Sequence, residues 1–330
     1  VPILDLFGAK GAILPIASEY FSVIIYGVPF LAFAMMGNPV IRAEGKPKFA
    51  MYAMIVPAVL NILLDILFIK VFNWGMWGAG FATSISFASI GLYILYFFLS
   101  KKSELKIIPK NFKLDFKIVR EIIELGGVSV VRQGAISVLM IVLNHSLFTY
   151  GGEISISIFG VINRVMMFAY SPIMGVSQGF LPVAGFNIGA KNNKRVKETI
   201  KKSIYFGTIL GSIIFVGIVI FKEQIIGVFT NDETLLSETP NAMLIVFLVT
   251  PIVTMQLIGS AYFQAAGKAK PALILTLLKQ GFFLIPLTYF LPKYYGVDGI
   301  WWSFPIADVL STLVTIIVLK REIDRNLLNS

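Results

Sequence analysis

The chain has 330 residues, of which 57% are hydrophobic and 14% are charged, and its formal net charge is +10. Soluble domains carry about a quarter charged residues, so this composition excludes a soluble enzyme. With no cysteine and a single histidine, His145, the chain also lacks the ligands of a disulfide framework, an iron–sulfur cluster or a thiolate zinc site. We therefore expect no metal and no cofactor.

Long runs without Asp, Glu, Lys or Arg predict membrane-spanning helices, because crossing the ~30 Å hydrocarbon layer takes about 20 mostly apolar residues. The runs do not alternate with period two, as the strands of a membrane barrel would. Nine spans are predicted, over residues 13–37, 48–69, 77–99, 127–149, 155–186, 203–221, 240–263, 270–291 and 297–319. The predicted fold class is an all-α, polytopic membrane protein.

Lysine and arginine concentrate in alternate loops between these spans. The basic loops lie near residues 42–48, 101–120, 191–202, 268–270 and 320–325. Under the positive-inside rule this side is cytoplasmic, which places the carboxyl terminus there too. The net positive charge is therefore an orientation signal, and the expected partners include membrane lipids but no nucleic acid.

An internal repeat with an offset of 222 residues is visible in two of the basic loops. Residues 42–50 and 264–272 share five identical positions, among them the pair Gly45 and Gly267. Residues 75–78 and 296–299 match at an offset of 221, each with a Gly at both ends. Such a repeat predicts two helix bundles that point the same way, related by a pseudo-two-fold axis along the membrane normal.

The polar stretch 100–126 divides the predicted spans into a partial amino-terminal lobe, 1–99, and a carboxyl-terminal lobe, 127–330. Asp115 in this linker is a candidate N-cap for an amphipathic helix at the cytoplasmic interface. The first lobe holds three spans and the second six. We therefore expect a full 6+6 architecture, in which about a hundred residues, or three helices, precede the given chain and residues 1–7 end the third of them.

Several local motifs occur in both halves of the chain, at residues 41–51, 61–69, 78–83, 160–164, 179–191, 264–267 and 305–308. With these motifs the sequence resembles the multidrug and toxic compound extrusion (MATE) family, in particular its MepA-like branch. The resemblance implies a secondary antiporter at the cell membrane that expels lipophilic, often cationic compounds in exchange for H+ or Na+. A lipid-linked oligosaccharide flippase of the same superfamily is the alternative.

The sequence departs from family patterns at positions that bear on the coupling ion. Residues 127–149 contain no acid, although one branch of the family carries a glutamate in this helix. Another branch uses an aspartate in the first helix, which would precede the given chain. Leu181 and Phe186 replace the Gln and Tyr that are usual in the MepA-like branch. The choice between H+ and Na+ therefore stays open at the level of sequence.

Ionisable residues inside a span are costly and often functional. By the helical rise, Lys279 lies about 14 Å from one end of its span and Asp308 about 16 Å from the opposite end of the next. In antiparallel neighbours these depths coincide, so we predict that the two side chains meet. A static pair that neutralises two buried charges and a proton-linked role for Asp308 are both open.

The remaining candidates for ion coupling or for the substrate cavity are polar residues inside spans. Arg164 falls near the bilayer midplane, where it could gate transport, balance Asp308 or bond to carbonyls near Pro172. Arg132 lies near a span end and could snorkel. The other cavity candidates are Asn163, Gln133, Asn144 and Gln256. The repeated loops add a signature of four residues: Arg42, Gly45, Gln264 and Gly267.

Overall fold

The computed structural model describes residues 13–100, 102–105 and 114–326. By its internal contacts the chain forms two compact units, Val1–Lys113 and Leu114–Ser330. Every regular element of the described residues is helical. The predicted helix end at residues 1–7 and part of the predicted linker lie outside the described residues.

The amino-terminal unit contains three long helices. They are α1 (Ile13–Ala43), α2 (Pro47–Asp65), which continues as a π-helical turn (Ile66–Val71), and α3 (Gly75–Leu99). Pro47 begins α2 at a position where a missing N–H costs no hydrogen bond. Each helix is long enough to cross the hydrocarbon layer.

Small residues let α1 and α3 pack closely. A Cβ atom on Gly80 would lie 2.7 Å from the Tyr20 carbonyl oxygen, and one on Gly37 would lie 2.4 Å from Ile94. Large apolar side chains of the unit instead remain uncovered, and Tyr26 is 76% exposed. This distribution is typical of membrane helices, which associate through small residues and turn their large apolar side chains to lipid.

The carboxyl-terminal unit contains seven helices. They are α4 (Phe116–Gly189), α5 (Asn193–Gly227), α6 (Glu233–Phe247), α7 (Thr250–Ala265), α8 (Ala269–Leu277), α9 (Ile285–Phe290) and α10 (Pro292–Asn326). A π-helical turn, Leu278–Leu284, joins α8 to α9. Non-helical backbone at Gly152 divides α4 into two helical segments, and α6 and α7 form one bent pair at 45°.

All nine predicted spans have a counterpart among the described helices. Seven continuous helical segments, two of which include a π turn, and the bent pair are long and apolar enough to cross a membrane. The break at Gly152 makes two spans of α4. Several helices run past the predicted ends because polar residues continue the helix beyond the apolar run, as α5 does on both sides of 203–221.

The predicted cap at Asp115 is confirmed, because its Oδ1 accepts a hydrogen bond of 2.9 Å from the Lys117 N–H. The helix that it starts differs from the expectation of a separate interfacial helix. It continues without a break through Gly126 and Gly127 into the next span. Neither glycine requires a positive φ, and no proline interrupts the helix before Pro172.

Candidate ion-coupling site and signature loops

The buried ion pair predicted from the sequence is present in the carboxyl-terminal unit. Lys279 Nζ, on the π turn, lies 2.5 Å from Asp308 Oδ1, on α10. The two side chains are 16% and 2% exposed, respectively. The predicted contact is therefore confirmed. An isolated charge at this depth would be very unfavourable, so each group neutralises the other.

An aromatic ring from a third helix completes the surroundings of the pair. Lys279 Nζ lies 5.7 Å from the centroid of the Tyr170 ring on α4, within the range of a cation–π interaction. The Tyr170 hydroxyl lies against Thr250 at the start of α7. Among the described residues, Lys279 is the cation that forms an ion pair with Asp308.

The π turn gives Lys279 its position. Its last hydrogen bond runs from the Ile285 N–H to the Gln280 carbonyl, five residues back. Pro286 follows, and it has no N–H to offer and would crowd the carbonyl four residues before it in a regular α-helix. The buried Gln280 Oε1 has no hydrogen-bond partner. Single π turns are frequent at functional sites.

Two polar side chains of α7 hold α8 in place just before this turn. The amide of Gln256 donates to the Leu275 carbonyl at 3.4 Å. The hydroxyls of Ser260 and Thr276 lie 2.7 Å apart. Gln256 is only 6% exposed, so the structure places this candidate in the packing between helices.

Among the described residues, the other cavity candidates make no hydrogen bond or ion pair with Asp308 or Lys279. Arg164 is exposed, and the structure describes no ion pair between it and Asp308. Asn163 is partly buried, whereas Gln133 and Asn144 are exposed. The side chain of Arg132 lies outside the described part of the chain.

The signature loops have the same backbone geometry in both units. Gly45 and Gly267 adopt φ values of +75° and +67°, a left-handed conformation that favours glycine. The N–H of the following lysine donates five residues back in each loop, from Lys46 to Ile41 at 3.2 Å and from Lys268 to Phe263 at 2.9 Å. This is the pattern of a Schellman helix end. Gly75 and Gly296 likewise share a positive φ.

One pair of equivalent side chains was missed by the sequence reasoning. Asn38 donates to the Ala50 carbonyl at 2.9 Å, and Ser260 donates to the Ala272 carbonyl at 3.5 Å. The two donors, Asn38 and Ser260, and the two acceptors, Ala50 and Ala272, are each related by the repeat offset of 222. In the sequence, the only sign of this equivalence is that both positions of the repeat carry a side chain that can donate a hydrogen bond, an Asn in one and a Ser in the other. Asn38 also accepts hydrogen bonds of 3.0 and 2.5 Å from Arg42. Gln264, which is the equivalent of Arg42 in the second repeat, is exposed.

Each signature loop also contacts the chain near the end of the last helix of its unit. The first loop contacts the residues just after α3, and the second contacts the last turns of α10. The Glu44 carboxylate accepts hydrogen bonds from the Ser103 hydroxyl at 2.9 Å and from the Glu104 N–H at 3.0 Å. Lys268 forms an ion pair with Glu322 near the end of α10. The two loops therefore make these contacts through side chains that are not equivalent in the repeat, Glu44 in one and Lys268 in the other.

Comparison with known proteins gives the family. A model of the MatE family matches residues 1–67 and 129–290, which is more than half of the chain. This chain belongs to the MATE family. The resemblance stated from its motifs is thereby confirmed, and the protein is a multi-pass membrane transporter, not an enzyme.

Curated and solved MATE relatives match nearly the whole chain. The multidrug export protein MepA of Staphylococcus aureus (strain bovine RF122 / ET3-1) is 25% identical over 323 residues, covering 98% of this chain and 71% of the relative. The MATE multidrug transporter DinF-BH, whose structure was solved as a complex with a ligand, is 40% identical, with a TM-score of 0.88 over 99% of this chain and 73% of that one.

A different function has been suggested for a third matching protein. It is a transporter of the MOP superfamily from Pyrococcus furiosus, for which the reversed polarity of the binding pocket suggests a different function. It is 26% identical, with a TM-score of 0.92 over 98% of this chain and 73% of that one. Membership of the MATE fold therefore leaves the substrate to be argued separately.

Proposed function

We propose that this protein is a secondary antiporter that exports lipophilic, cationic compounds in exchange for H+ or Na+ by rocking alternating access. The observation that carries the proposal is the 40% identity, along 99% of this chain, to a solved MATE multidrug transporter. The name of MepA, multidrug export protein, supports the same substrate class.

The arrangement of charge supports an antiporter. Membrane interiors tolerate ionisable groups where these serve ion movement, and the carboxyl-terminal unit buries one carboxylate with one ammonium between its helices. The basic loops favour an orientation with the carboxyl terminus in the cytoplasm, and we place the protein in the plasma membrane on the basis of its family.

Oligosaccharide flipping is the alternative function for the same fold. The Pyrococcus furiosus relative indicates that pocket polarity differs among such transporters. Two relatives that are named for multidrug transport, one of them 40% identical to this chain, favour efflux.

Uptake of the lipophilic cation tetraphenylphosphonium into inverted vesicles tests the proposal. The vesicles carry the natural polypeptide that contains this sequence, and a pH gradient and a Na+ gradient are imposed separately. We expect one of the two gradients to drive accumulation above that of vesicles without the protein. Equal levels with and without the protein under both gradients would contradict the proposal.

A further inference from the structure

We propose that the Asp308–Lys279 pair is a proton-exchange site of the carboxyl-terminal unit. The inference rests on the proposed antiport and specifies its coupling ion. Its basis is one carboxylate and one ammonium 2.5 Å apart, with the carboxylate side chain 2% exposed. Tyr170 faces the same pair from α4.

The pair suits a proton better than a sodium ion. A sodium ion at Asp308 would need several oxygen ligands, and Lys279 already occupies the space beside the carboxylate oxygen. The two cations would repel each other at short range in a medium of low dielectric constant. Among the described residues, no three acidic or histidine side chains cluster to hold a metal ion. A proton needs no such ligand shell, because it bonds directly to one carboxylate oxygen.

The groups that face Asp308 leave few alternative proton carriers. Lys279 comes from the π turn and Tyr170 from α4, and the Tyr170 hydroxyl is hydrogen-bonded to Thr250 of α7. Arg164 on α4 and Tyr289 on α9 are exposed. Asp308 is thus the one carboxylate among the described residues that has a buried cation beside it.

The exchange step is balanced in charge and atoms. A proton from the external side forms an O–H bond at Asp308, and the contact between its oxygen and Lys279 Nζ breaks. Lys279 keeps its three protons, so the net charge of the site rises from zero to +1. The reverse step breaks the O–H bond, releases the proton on the cytoplasmic side and restores the pair. The positive site repels a second cation nearby, so we expect the proton and the organic cation to bind in turn rather than together.

Two buried polar atoms that lie near the pair along the chain offer unused hydrogen-bonding capacity. Gln280 Oε1, next to Lys279 along the chain, and Thr312 Oγ1, one turn after Asp308 on α10, have no hydrogen-bond partner. Both can accept a hydrogen bond from the Lys279 ammonium or from a protonated Asp308. In this proposal these acceptors stabilise the protonated state.

The experiment compares uncoupled exchange with driven accumulation in proteoliposomes of the natural polypeptide. The variant is Asp308→Asn/Lys279→Met, which removes both charges together. The control is Glu198→Gln/Lys202→Met, which removes an exposed ion pair of 2.7 Å on α5. Tetraphenylphosphonium counterflow measures exchange without a gradient, and a pH gradient drives accumulation.

We expect the double variant to retain counterflow within about twofold and to lose at least tenfold of its pH-driven accumulation, while the control keeps both. Retained pH-driven accumulation in the double variant, or loss of its counterflow, would overturn the inference and leave the pair as a structural contact. Absence of both activities in the unmodified protein would instead refute the proposed function.

A second variant keeps the test decisive if the first does not fold. Lys279→Arg retains both charges and changes the geometry of the donor beside Asp308. A proton site predicts a shift in the pH at which accumulation is half-maximal. An unchanged pH profile, with normal counterflow, would contradict the proton-exchange role.

Discussion

Replacing Lys279 with Met removes the positive charge that neutralises Asp308. The carboxylate side chain is 2% exposed, so water cannot replace the lost partner. Removing one member of a buried pair costs about 3–5 kcal/mol, because an uncompensated charge is left inside the protein. We expect Lys279→Met to lower the free energy of unfolding by that amount.

The opposite substitution costs less. Asp308→Asn leaves Lys279 with a side chain that is 16% exposed and with the Tyr170 ring 5.7 Å away. A cation–π contact of this kind recovers about 0.5–2 kcal/mol. The double variant, which buries no charge, should lie within about 1.5 kcal/mol of the unmodified protein, since neutral replacement of a buried pair is often tolerated.

Equilibrium unfolding of the purified protein in mixed detergent and SDS micelles, followed by circular dichroism, measures these differences. A double-mutant cycle then isolates the coupling between the two residues. Lys202→Met is the control, because its partner Glu198 lies on the surface, and it should change nothing measurable. If the cost of the double variant equalled the sum of the two single costs, the residues would not be energetically coupled and the reasoning would fail.

Three further substitutions test the packing, each by the same unfolding measurement. Gly211→Ala should lower the free energy of unfolding by about 1–3 kcal/mol, because its Cβ would lie 2.8 Å from the Thr250 carbonyl oxygen. The control Gly217→Ala, on the same helix with open space around it, should leave the stability unchanged, and equal effects of the two substitutions would contradict the close approach. Gly267→Ala should cost about 1–2 kcal/mol, since its φ is +67°, and an unchanged stability would disprove the strained helix end. Asn38→Ala should cost about 1–3 kcal/mol through the lost bond to the Ala50 carbonyl, and a neutral result would show that this bond adds nothing.

The spans and the ion pair could be predicted from the sequence because both depend on simple lengths. An apolar run long enough for the bilayer predicts a span, and the rise per residue gives the depth of Lys279 and Asp308. Rotation about the helix axis was harder to predict. Arg164 was assigned a depth by the same rise, yet helices that are apolar on all sides give no sign of which side faces a neighbour.

The π turn was not predictable because it changes the hydrogen-bond pattern without a compositional signal. Pro286 indicates an irregular helix, but several other prolines lie inside helices that remain α-helical, such as Pro172 in α4. The break at Gly152 was anticipated only as a loop between spans. The hydrogen bond from Asn38 to the Ala50 carbonyl of α2 was not predicted from the repeat, because the equivalent residue, Ser260, has a different side chain.

Proton release on substrate binding tests the central claim most directly. Tetraphenylphosphonium is added to the purified natural polypeptide in weakly buffered detergent solution, and a pH indicator counts the protons that appear. The exchange at Asp308 predicts that Asp308→Asn releases about one proton fewer per bound cation than the unmodified protein. Equal proton release by the two proteins at saturating substrate would contradict it.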